Sequence, residues 1–285
     1  MSRTSTGLSI QEPAASPQTG DVNASIDWRR HVVTISEPAH PDRAPHTLAE
    51  RAEHDGYFLV EGLIPDGECS LFVERLQEFA ATARALPEGL SLHREPMVET
   101  NGPQLPKGHD IRKIGGLIHD DLFRKLITRK EIIDRMRDIV GEPIRLFRAD
   151  ALMKPAQVGS EKGVHQDSPY WPIEPMSLWS CWIPFDDATL DNGCLMVVKG
   201  SHRKGPMPHV STQNDYVIPT DRYDGDDLVA VPMKRGTGIF FHSLLIHGSA
   251  ANTSGTPRRA VTMSYLGPHH RYVGTKQAPE YPTVS

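Results

Sequence analysis

From Ile144 to Leu266 the sequence breaks into short apolar runs separated by turn signals, and this rhythm constrains the fold more than any other feature. The runs are Ile144–Met153, Ser177–Phe185, Leu195–Lys199, Leu228–Pro232, Gly238–Phe241, Leu244–His247 and Arg259–Leu266. Short runs at such spacing predict a β-barrel or sandwich. Before Ile144 the pattern differs. Thr47 to Gly56 reads as a short helix, Tyr57 to Val60 as a strand, and Pro65-Asp66-Gly67 as the start of a helix running to about Arg84. Leu71, Phe72, Arg75, Leu76 and Phe79 supply that helix with a core-facing stripe. Residues 85–110 carry several Pro and Gly with little periodicity and predict a long loop. Residues 119–140 predict a second amphipathic helix region, ended by Gly141 and Pro143. The expectation is an α+β chain with a mainly β core: one domain over 47–285, helical over 47–143 and β-rich over 144–268. Residues 1–46, rich in Ser, Thr, Pro and His, predict a disordered or irregular arm.

Composition limits the partners. A chain of 285 residues with 38% hydrophobic content can bury a sizeable core. The net charge of −5 and the lack of a long basic run argue against nucleic acid. No apolar stretch approaches the roughly 20 residues that span a bilayer, and the N-terminus lacks a signal-peptide pattern. Cys69, Cys181 and Cys194 are odd in number, show no CxxC spacing, and fit a reducing cytoplasm. A cytoplasmic protein is therefore expected. The oligomeric state is not readable.

Within the β-rich half stands His165-Gln166-Asp167, followed much later by His247 and Arg258. Two histidines and one carboxylate holding one face of a metal, with open positions opposite, form the ligand set of non-haem Fe(II) oxygenases. An H-x-D triplet is cheap in a chain with 14 histidines, and a second exists at His119-Asp120-Asp121. Residues i and i+2 share a side of a strand but diverge by about 200° around a helix. His119 sits in a helix-like stretch, so His119 and Asp121 should diverge. His165 and Asp167 lie between strand-like runs, where both can face one cavity or, equally, mark a surface turn with a solvated Asp. His242 competes with His247 for the third position. Arg258 and Arg259 open a strand-like run and must point to opposite faces. Arg258 shares its face with Ala260, Thr262 and Ser264, small enough to line a barrel. Arg259 shares its face with Val261, Met263 and Tyr265, which would pack outward.

The segments GVHQDSPYWPI (163–173), LWSCWIPFDDATLDNGCLMVVKGSHRKG (178–205) and GTGIFFHSLLIHGSAANTSGTPRRAVTMSY (236–265) resemble the phytanoyl-CoA dioxygenase family of Fe(II)/2-oxoglutarate-dependent oxygenases. The resemblance covers roughly residues 50–268. It implies a double-stranded β-helix, a cupin-like jelly-roll with flanking N-terminal helices. It implies Fe(II) held by His165, Asp167 and His247, with His247 preferred over His242 because Arg258 falls at the family's offset of eleven. It implies 2-oxoglutarate as co-substrate, anchored by Arg258 with help from Ser249, Trp182 and Lys113, and O2 as oxidant. Retention of the carboxylate Asp167 favours hydroxylation over halogenation. Gly200-Ser201-His202 is a turn in the family, and with Asn192-Gly193 is expected to be scaffold.

Tyr170, Trp171, Trp179 and, less directly, Asp150 are candidate substrate contacts. Residues 85–110 and 206–227 are the candidate lids. Arg129-Lys130 is expected on a solvated helix face, and no segment reads as a CoA-phosphate site. The expected activity is hydroxylation of a C–H bond of a small metabolite or natural-product intermediate, with release of succinate and CO2. Two other readings stand beside it: a zinc hydrolase using the same ligands, and a non-catalytic jelly-roll binding protein.

Overall fold

Thr47 opens helix α1 (Leu48–Asp55) with a capping box, in which its hydroxyl accepts from the Glu50 N–H and the Glu50 carboxylate accepts from the Thr47 N–H at 2.7 Å. Gly56, at φ +79°, ends the helix in the left-handed region. These details come from a computed structural model, which describes residues 47–82, 86–96, 105, 108–212 and 215–285. The arm expected over 1–46 lies outside the described residues.

Strand β1 (Tyr57–Val60) leads into helix α2 (Asp66–Ala81), which buries Cys69, Phe72, Leu76, Phe79 and Ala80. Leu71, placed on the stripe by its spacing, is 51% exposed, because the buried set is centred on Phe72, Leu76 and Phe79, about a third of a turn away. The single helix region expected over 119–140 divides into a 3₁₀ turn (Leu117–His119), helix α3 (Asp121–Ile127) and helix α4 (Lys130–Val140). The break falls at Thr128, whose hydroxyl donates back to the Arg124 carbonyl, and at Arg129, whose backbone is extended. The loop expected over 85–110 contains strand β2 (Ser91–Arg94), paired antiparallel with β3 (Ile111–Gly115). Only Leu92 of β2 is partly buried in the core, so it carries almost no hydrophobic alternation.

The β-rich half supplies β4 (Arg145–Lys154), β5 (Lys162–His165), β6 (Ile173–Glu174), β7 (Trp179–Pro184), β8 (Leu195–Val198), β9 (Val210–Ser211) and β10 (Tyr216–Val217). It continues with β11 (Leu228–Val231), β12 (Gly238–His242), β13 (His247–Ser249), β14 (Arg258–Leu266) and β15 (Arg271–Tyr272). A seven-stranded antiparallel sheet runs β1-β12-β7-β14-β4-β3-β2, and a four-stranded sheet runs β11-β8-β13-β5. Their inner faces share one core, to which Val164 and Val197 come from the small sheet and Trp182, Phe241 and Ala260 from the large one. The outer face of the large sheet is covered by the helices: Val261, Met263 and Tyr265 pack with Leu76, Ile132 and Met136, and the Tyr265 hydroxyl donates to the Ile127 carbonyl at 2.9 Å. This is a jelly-roll with a helical layer on one side. The strand expected at Leu244–His247 begins only at His247, because residues 243–246 form a tight turn in which the Leu245 N–H reaches the His242 carbonyl.

Candidate active site

The mouth between the two sheets is a cavity of about 510 Å³. His165, the last residue of β5, lies directly across from His247, the first residue of β13. Asp167 follows two residues after His165, at the start of a 3₁₀ turn (Ser168–Tyr170). Ligand atoms of His165, Asp167 and His247 all lie within 4.8 Å of one another, and all three residues are buried. Gln166, between them, points the other way. It is fully buried, donates to the Gly205 and Leu244 carbonyls and accepts from the Met207 N–H, so it ties the H-x-D segment to two neighbouring loops. The Asp167 and Ser168 N–H groups both donate to the Ser243 carbonyl.

Each histidine is oriented by its own strand. The Nδ1 of His165 meets the Gly163 carbonyl at 2.8 Å, and that of His247 meets the Leu245 carbonyl at 2.9 Å. A carbonyl can only accept, so Nδ1 carries the hydrogen and Nε2 keeps its lone pair for a metal. Burial, reinforced by the neighbouring His247, holds His165 well below the ordinary imidazole pKa, and burial lowers His247 as well. Both rings are therefore neutral ligands at pH 7. This donor set, two neutral imidazoles and one carboxylate on one side of an open cavity, fits a divalent iron.

The second triplet is not assembled. His119 ends the 3₁₀ turn and packs beside Gly89; Asp120 caps α3 through the Leu122 and Phe123 N–H groups; Asp121 has an 88% exposed side chain paired with Arg124. The His165 triad is the one such cluster among the described residues. His242 accepts from the Leu244 N–H and lies against Trp179 and His202, away from the cavity wall.

Arg258 enters the cavity from β14, 4% exposed, with its Nε unbonded among the described residues and its guanidinium 5.3 Å from the Trp182 ring. Burial lowers its pKa to about 10, which still leaves it charged at pH 7. Arg259 faces outward and is closed by Asp186, which accepts from its Nε at 2.7 Å and its NH2 at 2.6 Å. Adjacent residues of one strand thus have opposite status: an occupied cation outside, an open one inside. Directly opposite Arg258 on β4 lies Lys154, whose ammonium donates to the Ser160 carbonyl. Burial, and then Arg258, push the Lys154 pKa well down. The charged, buried Arg258 favours an anion between the sheets.

Ser249 lines the same cavity. So does Lys113, but its ammonium is held by Asp150 at 3.0 Å. Asp150 lies behind the cavity wall, engaged by Lys113 and, at 3.8 Å, by Arg148. Tyr170 and Trp171 line the cavity, and the Tyr170 hydroxyl donates to the Tyr216 carbonyl. Trp179 does not: strand alternation turns it outward into the helix-covered core with Phe58. Of the Arg129-Lys130 pair, Arg129 is half-buried and bonds Glu68 at 2.7 Å, while Lys130 has an 82% exposed side chain on the solvated face. The Gly200–His202 segment is a turn whose Ser201 hydroxyl accepts from the Ile246 N–H, and Asn192 accepts from the Thr189 N–H and donates to the Asp187 carbonyl. The 206–227 stretch reaches the cavity through Asp215, which pairs with Arg112 and Lys162.

Sequence reasoning missed Arg148, Lys154, Arg112 and Lys162, all on the cavity wall. Inward alternation along β4 places Arg148 and Lys154 on one face, and that signal was available in the sequence.

Comparison with known proteins adds the following. The family profile for phytanoyl-CoA dioxygenase (PhyH) matches residues 52–260. A probable phytanoyl-CoA dioxygenase of Caenorhabditis elegans is 27% identical over 233 residues, spanning 75% of this chain and 72% of the relative. The peroxisomal phytanoyl-CoA dioxygenase of Homo sapiens is 25% identical over 263 residues, spanning 85% and 77%. Among solved structures, apo EctD from S. alaskensis superimposes with a TM-score of 0.66 at 23% identity, covering 83% of this chain and 84% of that one. The epimerase SnoN, solved with Fe3+, alpha ketoglutarate and nogalamycin RO, superimposes with a TM-score of 0.63 at 21% identity, covering 81% and 86%. These superpositions establish the fold.

Proposed function

The chain belongs to the phytanoyl-CoA dioxygenase family, and on that footing we propose that this Fe(II)/2-oxoglutarate-dependent dioxygenase hydroxylates a C–H bond of a small metabolite or natural-product intermediate. The observation that carries the reading is the joint placement, around one cavity, of three buried ligands and a buried arginine with no ion-pair partner among the described residues. His165, Asp167 and His247 would hold the iron. Arg258 would take the distal carboxylate of 2-oxoglutarate, a charge-assisted contact worth about 1.5–3 kcal/mol. Ser249 and Trp182 line the same wall. The bound iron, with 2-oxoglutarate and O2, supplies the oxidising power, and the chain's own residues position and shield.

The Nδ1–H contacts of His165 and His247 fix which nitrogen faces the metal. Gln166 keeps the H-x-D backbone from turning. Leu195, Phe241 and Trp182 form an apolar part of the cavity wall. Asp167 is a carboxylate, which supports hydroxylation over halogenation. The name of SnoN as an epimerase keeps stereochemical inversion in view for this fold.

We place the protein in the cytoplasm, a reading supported by three unpaired buried cysteines. Among the described residues no helix is long and apolar enough to cross a membrane.

The test is consumption of O2 and 2-oxoglutarate by the iron-loaded protein, with a panel of small metabolites under ¹⁸O₂. Succinate formation and one heavy oxygen in the product support the reading. Succinate with no oxygen in the product would replace hydroxylation by desaturation, ring formation or epimerisation. No 2-oxoglutarate consumption, together with zinc-dependent hydrolysis, would replace the class.

A further inference from the structure

The inward face of β4 carries two basic side chains: Lys154, paired in register with Arg258, and Arg148, paired with Ser264. Six residues of strand put their Cα atoms about 20 Å apart. A five-carbon diacid anchored at Arg258 would spend its other carboxylate at the metal triad rather than on Arg148. The Arg148 end of the cavity is therefore free for something else, and it lies beside Asp167.

Arg148 is poorly paired for a charge in that position. Its contacts are 3.4 Å to the Ser264 hydroxyl, 3.5 Å to Asp167 Oδ1 and 3.8 Å to Asp150. Charge-assisted contacts of arginine normally lie near 2.7–2.9 Å. Every other cavity cation outside the Arg258–Lys154 end has a closer carboxylate: Arg94 has Asp110, Arg112 and Lys162 have Asp215, and Lys113 has Asp150 at 3.0 Å. Asp150 is thus already claimed, and Asp167 must give its charge to the metal. The guanidinium lies 4.8 Å from the ring of Trp171, a buried residue packed against Phe147 and Ile173. That floor holds the fork in place while leaving its side chain 22% exposed to the cavity.

We propose that Arg148, seated on Trp171, is the specificity-determining residue of the substrate site, and that the primary substrate presents it with a carboxylate or phosphate group. The proposal rests on the oxygenase reading above and names the substrate class for that same site. A planar guanidinium on an aromatic floor receives either oxyanion bidentately. Engaging it would set one end of the substrate beside the iron and aim the neighbouring C–H bonds at it.

The experiment uses the protein loaded with Fe(II) and 2-oxoglutarate without oxygen. Acetate, inorganic phosphate and acetamide are titrated in at constant ionic strength, and tryptophan fluorescence, to which Trp171 contributes, is recorded. A saturable response to acetate or to phosphate and none to acetamide is expected, and the stronger of the two anions identifies the group. Arg148→Gln should weaken that binding roughly tenfold or more, Arg148→Lys should retain part of it, and 2-oxoglutarate affinity should stay within about twofold of wild type. No saturable anion response in the loaded protein, or an unchanged response in Arg148→Gln, would overturn the proposal. A loss of 2-oxoglutarate binding in Arg148→Gln would overturn it too, by giving Arg148 to the co-substrate. Failure of the protein to load 2-oxoglutarate at all would instead remove the oxygenase premise, and is read separately.

Discussion

His165-Gln166-Asp167 and His119-Asp120-Asp121 share the same outer letters and have opposite fates. At 165–167 the backbone leaves a strand, so the outer residues share a side and the middle one is buried behind them. At 119–121 the backbone leaves a 3₁₀ turn and enters a helix, so the middle residue is the useful one: Asp120 caps α3 and receives Arg75 at 2.8 Å, while Asp121 stays in solvent. A metal-ligand pattern is therefore a statement about the backbone under it, not about letters. Orientation of the imidazoles by carbonyls two residues back, seen at both His165 and His247, is the further condition that a triplet alone does not show.

The contrast can be broken most directly at the carboxylates. Asp167→Ala is expected to weaken Fe(II) binding by at least about a hundredfold, whereas Asp121→Ala should leave it within about twofold, both measured by equilibrium dialysis. Comparable losses would mean that the wrong triplet was chosen. The arginine pair on β14 offers a second contrast. Arg258→Gln should raise the dissociation constant for 2-oxoglutarate roughly 10- to 100-fold. Arg259→Gln should leave that constant alone and instead cost about 1–2 kcal/mol in urea unfolding, because its bidentate pair with Asp186 is largely buried. An effect of similar size sharpens the role of the second triplet. Asp120→Ala should cost about 1–2 kcal/mol of stability, from the helix cap and the lost Arg75 pair, with iron binding unchanged. The smallest effect belongs to Asp121→Ala, within about 0.5 kcal/mol of wild type in the same unfolding experiment.

Much of the β-rich half was legible in the sequence because its strands are apolar and bounded by turn residues. The opposite faces of Arg258 and Arg259 followed from alternation alone. The misses have particular causes. β2 is nearly all exposed and carries no hydrophobic signal. Thr128 interrupts a helical pattern by bonding its own backbone, a local choice that apolar periodicity does not record. Trp179 lies on the outer face of β7 because it stands three residues before the inward Trp182, and alternation gives the two tryptophans opposite faces. Arg148 and Lys154 share the inward face of β4, but Arg258 and Arg112 join them only because β4 pairs with β14 and β3, segments far apart in the chain. Lys113 and Asp150 satisfy each other, a contact that no single-segment pattern reveals.

The central claim is that a metal ion at His165, Asp167 and His247 and a diacid at Arg258 occupy one cavity together. Anaerobic calorimetry of 2-oxoglutarate binding, with and without Fe(II), tests it most directly. The expected result is one iron per chain, one 2-oxoglutarate bound only when iron is present, and loss of both in Asp167→Ala but in neither case in Asp121→Ala. Diacid binding that ignores the metal, or that survives unchanged in Asp167→Ala, would contradict it.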